Sequence, residues 1–205
     1  MQATPEKKQR LVEAALHLVL AQGYAGTSVD QICAKAEVKK GSFFHYFANK
    51  EEVCRAAMDA WSGFWGQIIE AAEFGRFADP LDRLAHLFDV MQSAYLNEAV
   101  QPGCVVGTVA QEQGNSHEGL RDCSAAHLDA WKEGVIQLLA DAKAAHKPLA
   151  EFEPDSLADF MLGMVQGTLL VAKTRPDRGI VVNNVRHLRT YVLGHFALTA
   201  TQGAR

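Results

Sequence analysis

The residues from Thr27 to Val53, TSVDQICAKAEVKKGSFFHYFANKEEV, constrain the fold more than any other part of the chain. They contain two short helix-forming segments and, directly after them, the start of a third. Ser28 stands where it can cap the first segment, and Gln31 is placed three residues on to reach back, as in a capping box. Val29, Ile32, Cys33 and Ala36 recur at helical spacing and form a narrow apolar stripe. Glu37-Val38 is too short for a flexible loop, so the two helices must cross steeply. The second segment carries Lys39, Lys40, Ser42, His45 and Tyr46. Phe44 and Phe47 are expected to face inward, with His45 and Tyr46 turned outward. Gly41, lacking a side chain, would let the backbone approach a phosphate or the helix behind it. Asn49 is placed to cap the next helix, with Glu51 and Glu52 favourable in its first turn. A short helix with cations and hydrogen-bonding groups along one side suits a DNA major groove.

The run Val38-Lys39-Lys40-Gly41-Ser42-Phe43-Phe44-His45-Tyr46-Phe47-Ala48-Asn49-Lys50-Glu51-Glu52-Val53 resembles the DNA-binding signature of the TetR (tetracycline-repressor) family. That signature reads roughly V-[ST]-x-G-[ST]-[LFI]-Y-x-[HY]-F-x-[SN]-K-[ED]-[ED]-L. Upstream, Gly23-Tyr24-x-x-Thr27-Ser28-Val29-x-x-Ile32 is similar to the family pattern as well. The close match covers the first quarter of the chain. One departure stands out: Lys39 occupies the place of the Ser or Thr that usually caps the recognition helix, so either the cap is lost or another group supplies it, and a cation is added. The resemblance implies an all-α protein of about nine helices. Residues 1–50 would form a three-helix, helix-turn-helix head, and residues 51–205 an effector-binding and dimerisation domain. It implies a ligand-responsive regulator, by default a repressor, that binds a palindromic operator as a homodimer. Tyr46 and Lys50 would hold phosphates, with Thr27 or Ser28 on the opposite backbone. Lys39, Lys40, Ser42 and His45 would stand nearest the bases, where Gly41 allows close approach.

Charge is distributed in keeping with that reading. Residues 1–50 hold the cations Lys7, Lys8, Arg10, Lys35, Lys39, Lys40 and Lys50 against Glu6, Glu13, Asp30 and Glu37, whereas the whole chain carries a net −4. A basic head on an acidic body suits a protein whose head alone touches DNA. No apolar run is long enough for a membrane span, and MQATPEKKQR is no secretory signal. Cys33, Cys54, Cys104 and Cys123 are widely spaced with no CxxC pair, which fits a reducing cytoplasm better than disulfides or a zinc site. A cytoplasmic location with no cofactor and no metal is expected.

The rest of the chain reads as helix. Segments are expected at Lys7–Gln22, Asn49–Phe74, Pro80–Ala99, Cys104–Gln113, from a Ser116 cap to Ala145, Pro154–Lys173 and Val182–Thr199, with frayed ends at Met1–Thr4 and Ala200–Arg205. Pro102-Gly103-Cys104-Val105-Val106-Gly107-Thr108-Val109-Ala110-Gln111-Glu112 is similar to a G-C-[LV]-x-G-x-x-x-x-E segment of one TetR subgroup. In that subgroup the resemblance implies a sixth helix between head and ligand cavity.

Gly163 and Gly167, four apart and followed by Leu170, would let a second helix approach closely. Leu188, Val192 and Phe196 add an apolar stripe on the last helix, and the resemblance implies that these two helices pair with their copies. An apolar wall with few polar groups describes a small-molecule site. Its candidates are Trp61, Phe64, Trp65, Phe88, Met91, Tyr95, Trp131, Phe160, Met161 and Met164, with Gln111, His127, Gln166 and Thr168 as polar members. The same residues equally suit an ordinary core. No excess of Lys or Arg falls on the apolar faces, which favours an uncharged, apolar or aromatic effector. Cys104 follows Gly103 at a helix start, where the dipole favours a thiolate. That makes it either an oxidant or electrophile sensor or a small packing residue.

Catalysis finds little support. The eight histidines form no HExxH, and neither GxGxxG nor GxxxxGK[ST] occurs. Ser42 lacks a GxSxG setting. The rival from another class is a helical interaction bundle whose lysines are merely solvated.

Overall fold

A computed structural model describes residues 6–98, 100–175 and 177–196. Its regular elements are all helical, and no strand occurs among the described residues. The α-helices are α1 Glu6–Gln22, α2 Val29–Ala36, α3 Lys40–Tyr46, α4 Lys50–Ala71, α5 Pro80–Leu96, α6 Val105–Gln113, α7 Glu118–Ala145, α8 Pro154–Lys173 and α9 Gly179–Gly194. A single 3-10 turn, Phe74–Arg76, follows α4. The all-α fold class expected from sequence is therefore correct.

The helix ends follow local chemistry. Ser28 and Gln31 form the full capping box of α2, and Asn49 Oδ1 accepts the Glu52 amide at 3.0 Å at the start of α4. Pro80 and Pro154 open α5 and α8, where a missing N–H costs nothing. Four expected limits move: α4 ends at Ala71, before Phe74, and α5 at Leu96, before Ala99, while the starts of α7 and α9 also differ. Helix α7 is capped not by Ser116 but by the next residue: His117 Nδ1 accepts the Leu120 amide at 3.3 Å. Helix α9 begins at Gly179, before the expected Val182, because Asp177 Oδ1 accepts the Gly179 amide at 2.8 Å. The expected end at Thr199 and the frayed termini lie outside the described residues.

The chain divides into two compact units. The first comprises Met1–Gln67 with Cys104–Asp129, and the second Ile68–Gly103 with Ala130–Arg205. In the first, one core joins Leu11 and Ala15 of α1, Ile32 and Cys33 of α2, Phe43 of α3, Phe47, and Val53 and Ala57 of α4. A neighbouring core joins Val19 and Leu20 of α1, Cys54, Met58 and Trp61 of α4, Val105, Val106 and Val109 of α6, and Leu120 of α7. Fully burying a side chain such as Phe43 or Met58 stabilises by about 1.5–3 kcal/mol.

In the second unit α9 packs along both α5 and α8. The loop after α5 is held by Arg178, whose guanidinium donates to the carbonyls of Tyr95, Asn97, Glu98 and Val100 at 3.2, 3.1, 3.0 and 2.6 Å. These are carbonyls at and beyond the helix end that lack helical partners. At the other end of α5, Asp79 caps Leu81 and accepts from His146 at 2.6 Å. The His146 hydrogen bond, helped by the Leu81 amide, holds the Asp79 carboxyl below its ordinary value.

Candidate nucleic-acid interface

Helix α3 has one face built into the first core and one face turned to solvent. Phe43 and Phe47 are the inward pair, one helical turn apart, with ring centroids 5.8 Å from each other. Phe43 is 0 % exposed and Phe44 is 52 % exposed. The expectation that Phe44 faces inward is thus corrected. Side chains at i and i+4 share a helix face, and Phe44, one residue from Phe43, is turned about 100° away.

Lys39, Lys40 and His45 are exposed beside Phe44, and Ser42 is half-buried. Lys39 is the N-cap of α3 and makes no side-chain capping bond. Lys40 Nζ pairs with Asp30 of α2 at 2.7 Å, and that hydrogen bond raises its pKa. A Cβ at Gly41 would meet no described atom within 4 Å. The glycine therefore does not serve to admit another helix among the described residues of its own chain. Tyr46, expected to turn outward, is half-buried against the first core, with its ring 5.0 Å from that of His45. Lys50 Nζ donates to the Tyr24 carbonyl at 3.0 Å and stands 4.0 Å from the Tyr24 ring centroid.

Of the two residues expected on the opposite DNA backbone, only Ser28 is exposed. Thr27 is buried, and its hydroxyl donates to the Gly23 carbonyl at 2.7 Å. A Thr hydroxyl that closes its own turn in this way is spent on the backbone. Thr27 is a structural residue in the isolated chain.

This arrangement matches known proteins. The family model described as bacterial regulatory proteins, tetR family, matches residues 11–57, and the model described as tetracyclin repressor-like, C-terminal domain, matches residues 80–188. The chain belongs to the TetR family. It is 31% identical over 197 residues to the transcriptional regulator AcuR of Cereibacter sphaeroides, covering 95% of this chain and 86% of that one. It is 26% identical over 178 residues to the transcriptional repressor DhaR of a Mycobacterium species, covering 87% of each. A crystal structure of regulatory protein TetR from Rhodobacter sphaeroides superposes with a TM-score of 0.78 at 29% identity, covering 89% of this chain and 97% of that one. These relatives are transcriptional regulators, and this chain is a helix-turn-helix regulator of the same family.

The other candidates of this TetR-family chain fall into both units. In the first unit Trp61, Phe64 and Trp65 form an aromatic cluster on α4, with Trp61 and Phe64 stacked at 6.0 Å. His127 Nδ1 lies 2.9 Å from Ser62 Oγ, and its Nε2 lies 3.3 Å from Asp59 Oδ1. Cys104 is the N-cap of α6, where its Sγ accepts the Gly107 amide at 3.3 Å. Burial pushes the Cys54 thiol up to about 12 and also raises Cys33 and Cys123.

In the second unit Phe88, Met91 and Tyr95 are buried on α5, Trp131 and Gln166 are half-buried, and Phe160 and Met164 are partly exposed. A recess with room for about one water lies between α5, α8 and α9. Tyr95, Met164 and Thr168 are the expected effector residues that line it, together with Leu169, Val181 and Asn184. Asn184, which donates to Thr168 Oγ1 at 3.1 Å, was missed. The available signal was an Asn inside the apolar run Val181, Val182, Val185, Leu188.

The dimer candidates also separate. Gly163 and Gly167 lie on an exposed face where a Cβ would meet no described atom within 4 Å, and Leu170 is exposed on the same helix. Leu188, Val192 and Phe196 are buried in their own chain, and Leu188 lines the recess. Those three are corrected from interface to core. Apolar spacing marks the buried face of a helix without saying which chain covers it. Among the described residues no helix is long and apolar enough to cross a membrane, and no group of His, Cys, Asp and Glu is placed to hold a metal.

Proposed function

We propose that this TetR-family regulator is a repressor that binds a near-palindromic operator as a homodimer and is released by a small, uncharged effector. The observation that carries the DNA reading is the outer face of α3. Lys39, Lys40, Phe44 and His45 are exposed around an unobstructed Gly41, on a helix whose other face is anchored by the fully buried Phe43. Residues 1–50 then act as the reading head and residues 51–205 as the effector and dimerisation part. Lys39, Lys40, Ser42 and His45 meet base edges, Tyr46 and Lys50 serve phosphates, and Ser28 meets the opposite backbone.

A single head reads half a site. Two heads related by a two-fold axis read half-sites about 34–36 Å apart, or a multiple of that spacing. The dimer reading is supported by the open glycines Gly163 and Gly167 with exposed Phe160, Leu170 and Val171 on α8 and exposed Tyr191 on α9. The effector reading is supported by the recess at Tyr95, Met164, Thr168 and Asn184, mostly apolar and holding the Asn184–Thr168 hydrogen bond. A ligand larger than water must open it. Such a ligand releases DNA only by favouring the form whose heads are mis-spaced. Moving that balance from 1:99 to 99:1 needs roughly 5.5 kcal/mol of differential affinity.

The test is selection of duplexes from a random-sequence pool by the purified protein, followed by sedimentation of the protein with the enriched duplex. A two-fold related motif bound by two chains is expected. Enrichment of no motif, or a monomer at micromolar concentration, overturns the reading.

A further inference from the structure

The turn that joins α1 to α2 is gripped by side chains from two other helices. The Ala25 amide donates to Glu112 Oε2 at 2.8 Å, and Glu112 sits in the last turn of α6. The fit is close. Gly23 has φ +82°, and a Cβ added there would lie 1.9 Å from Glu112 Oε1. The carboxylate thus occupies the space that any other residue at position 23 would fill. From α4, Lys50 donates to the Tyr24 carbonyl at 3.0 Å. Within the turn, Thr27 Oγ1 donates to the Gly23 carbonyl and Gln22 Nε2 to the Gly26 carbonyl at 2.8 Å. Ser28, the cap of α2, follows at once. All these groups belong to the first unit.

We infer that Glu112 is a positioning residue for DNA reading: its carboxylate ties the end of α6 to the backbone of the α1–α2 turn and sets where Ser28 and the start of α2 stand. This rests on the proposed DNA-binding function. A hydrogen bond of 2.8 Å fails when it is stretched by about an ångström, so displacement of α6 along its axis either drags the turn or releases it. Lys50 holds the same turn from α4, so a pull from α6 alone tilts the turn instead of carrying it along. Helix α6 is suited to deliver such a pull, because the chain enters it at Cys104 directly from residues of the second unit. Lys50 on one side and Glu112 on the other make the position of Ser28 a property of α4 and α6 together.

Amide hydrogen exchange on the full chain tests the tie without DNA. Glu112→Ala should speed exchange at Ala25 and through Thr27–Gln31, while Phe43 and the rest of the first core keep their protection. Glu112→Gln, which retains an acceptor oxygen, should restore most of it. On a duplex enriched by the unaltered protein, Glu112→Ala should weaken binding about fivefold, the size of one ordinary net hydrogen bond, with an unchanged salt slope because no phosphate contact is lost. Unchanged exchange at Ala25 in Glu112→Ala overturns the inference. So does altered exchange with unaltered affinity for the enriched duplex, because the tie would then be structural only. If the unaltered protein enriches no duplex, the DNA-binding function fails, and with it the role assigned to Glu112, whereas the exchange result still decides whether the tie exists.

Discussion

Helices α3 and α8 both expose aromatic or aliphatic side chains, but for opposite structural reasons. Helix α3 spans only Lys40–Tyr46 and hangs on one deep anchor, Phe43, so its whole outer side is available for chemistry. Helix α8 spans Pro154–Lys173 and buries Leu157, Ala158, Met161, Thr168 and Leu169, yet it still leaves Phe160, Leu170 and Val171 uncovered. The outer side of α3 is mostly polar and cationic, which suits a hydrated, charged partner. That of α8 is apolar and includes two glycines, which suits another helix.

The sharpest way to break this contrast is at adjacent residues of α3. Phe43→Ala should cost about 3–5 kcal/mol of stability, measured by urea unfolding, because it empties a fully packed site. Phe44→Ala should change stability by no more than about 0.5 kcal/mol. A comparable loss in both would mean that α3 has no free face. Next in size, Gly163→Leu or Gly167→Leu should weaken self-association by about 1–3 kcal/mol through overpacking a close helix approach. Sedimentation equilibrium would detect it, and unaltered association would show that α8 is covered in some other way. Ser28→Ala removes one half of the capping box and should lower stability by about 1 kcal/mol in thermal or urea unfolding.

The smallest effect concerns acid. Asp79 has its carboxyl pKa lowered by His146 and the Leu81 amide, so the folded state favours the ionised form. Its stabilising contribution is complete above the unfolded value near 3.8 and is lost as pH falls through the lower folded value. Unfolding midpoints across the acid range should show this loss in the unaltered chain and not in Asp79→Asn. Identical acid profiles would remove the linkage.

The contrast also explains what the sequence revealed. The head was legible because its function is written in contiguous residues: the capping box at Ser28 and Gln31, the two-residue link Glu37-Val38, and the ordered run from Gly41 to Glu52. Even there a choice between neighbours failed. Phe43 and Phe44 are chemically identical, and only the turn of a helix anchored at Phe47 separates inside from outside. In the body, helix positions were legible from Pro80, Pro154 and apolar spacing, but the partners of each face were not. Leu188, Val192 and Phe196 have the same periodicity whether a second chain or their own α5 and α8 covers them. The recess was obscured for a related reason, since Asn184 and Thr168 meet only after α8 and α9 pack. Glu112 was visible as the end of a motif, while its partner Ala25 lies 87 residues away and contributes a backbone amide that no side-chain pattern betrays.

The outer side of α3 is proposed to read base sequence. Its most direct test compares the duplexes enriched from a random pool by the unaltered chain with those enriched after Lys39, Lys40, Ser42 and His45 are replaced together by alanine. Loss of the enriched motif, with a folded and still dimeric protein, is the predicted result. Enrichment of the same motif by the altered protein would contradict it.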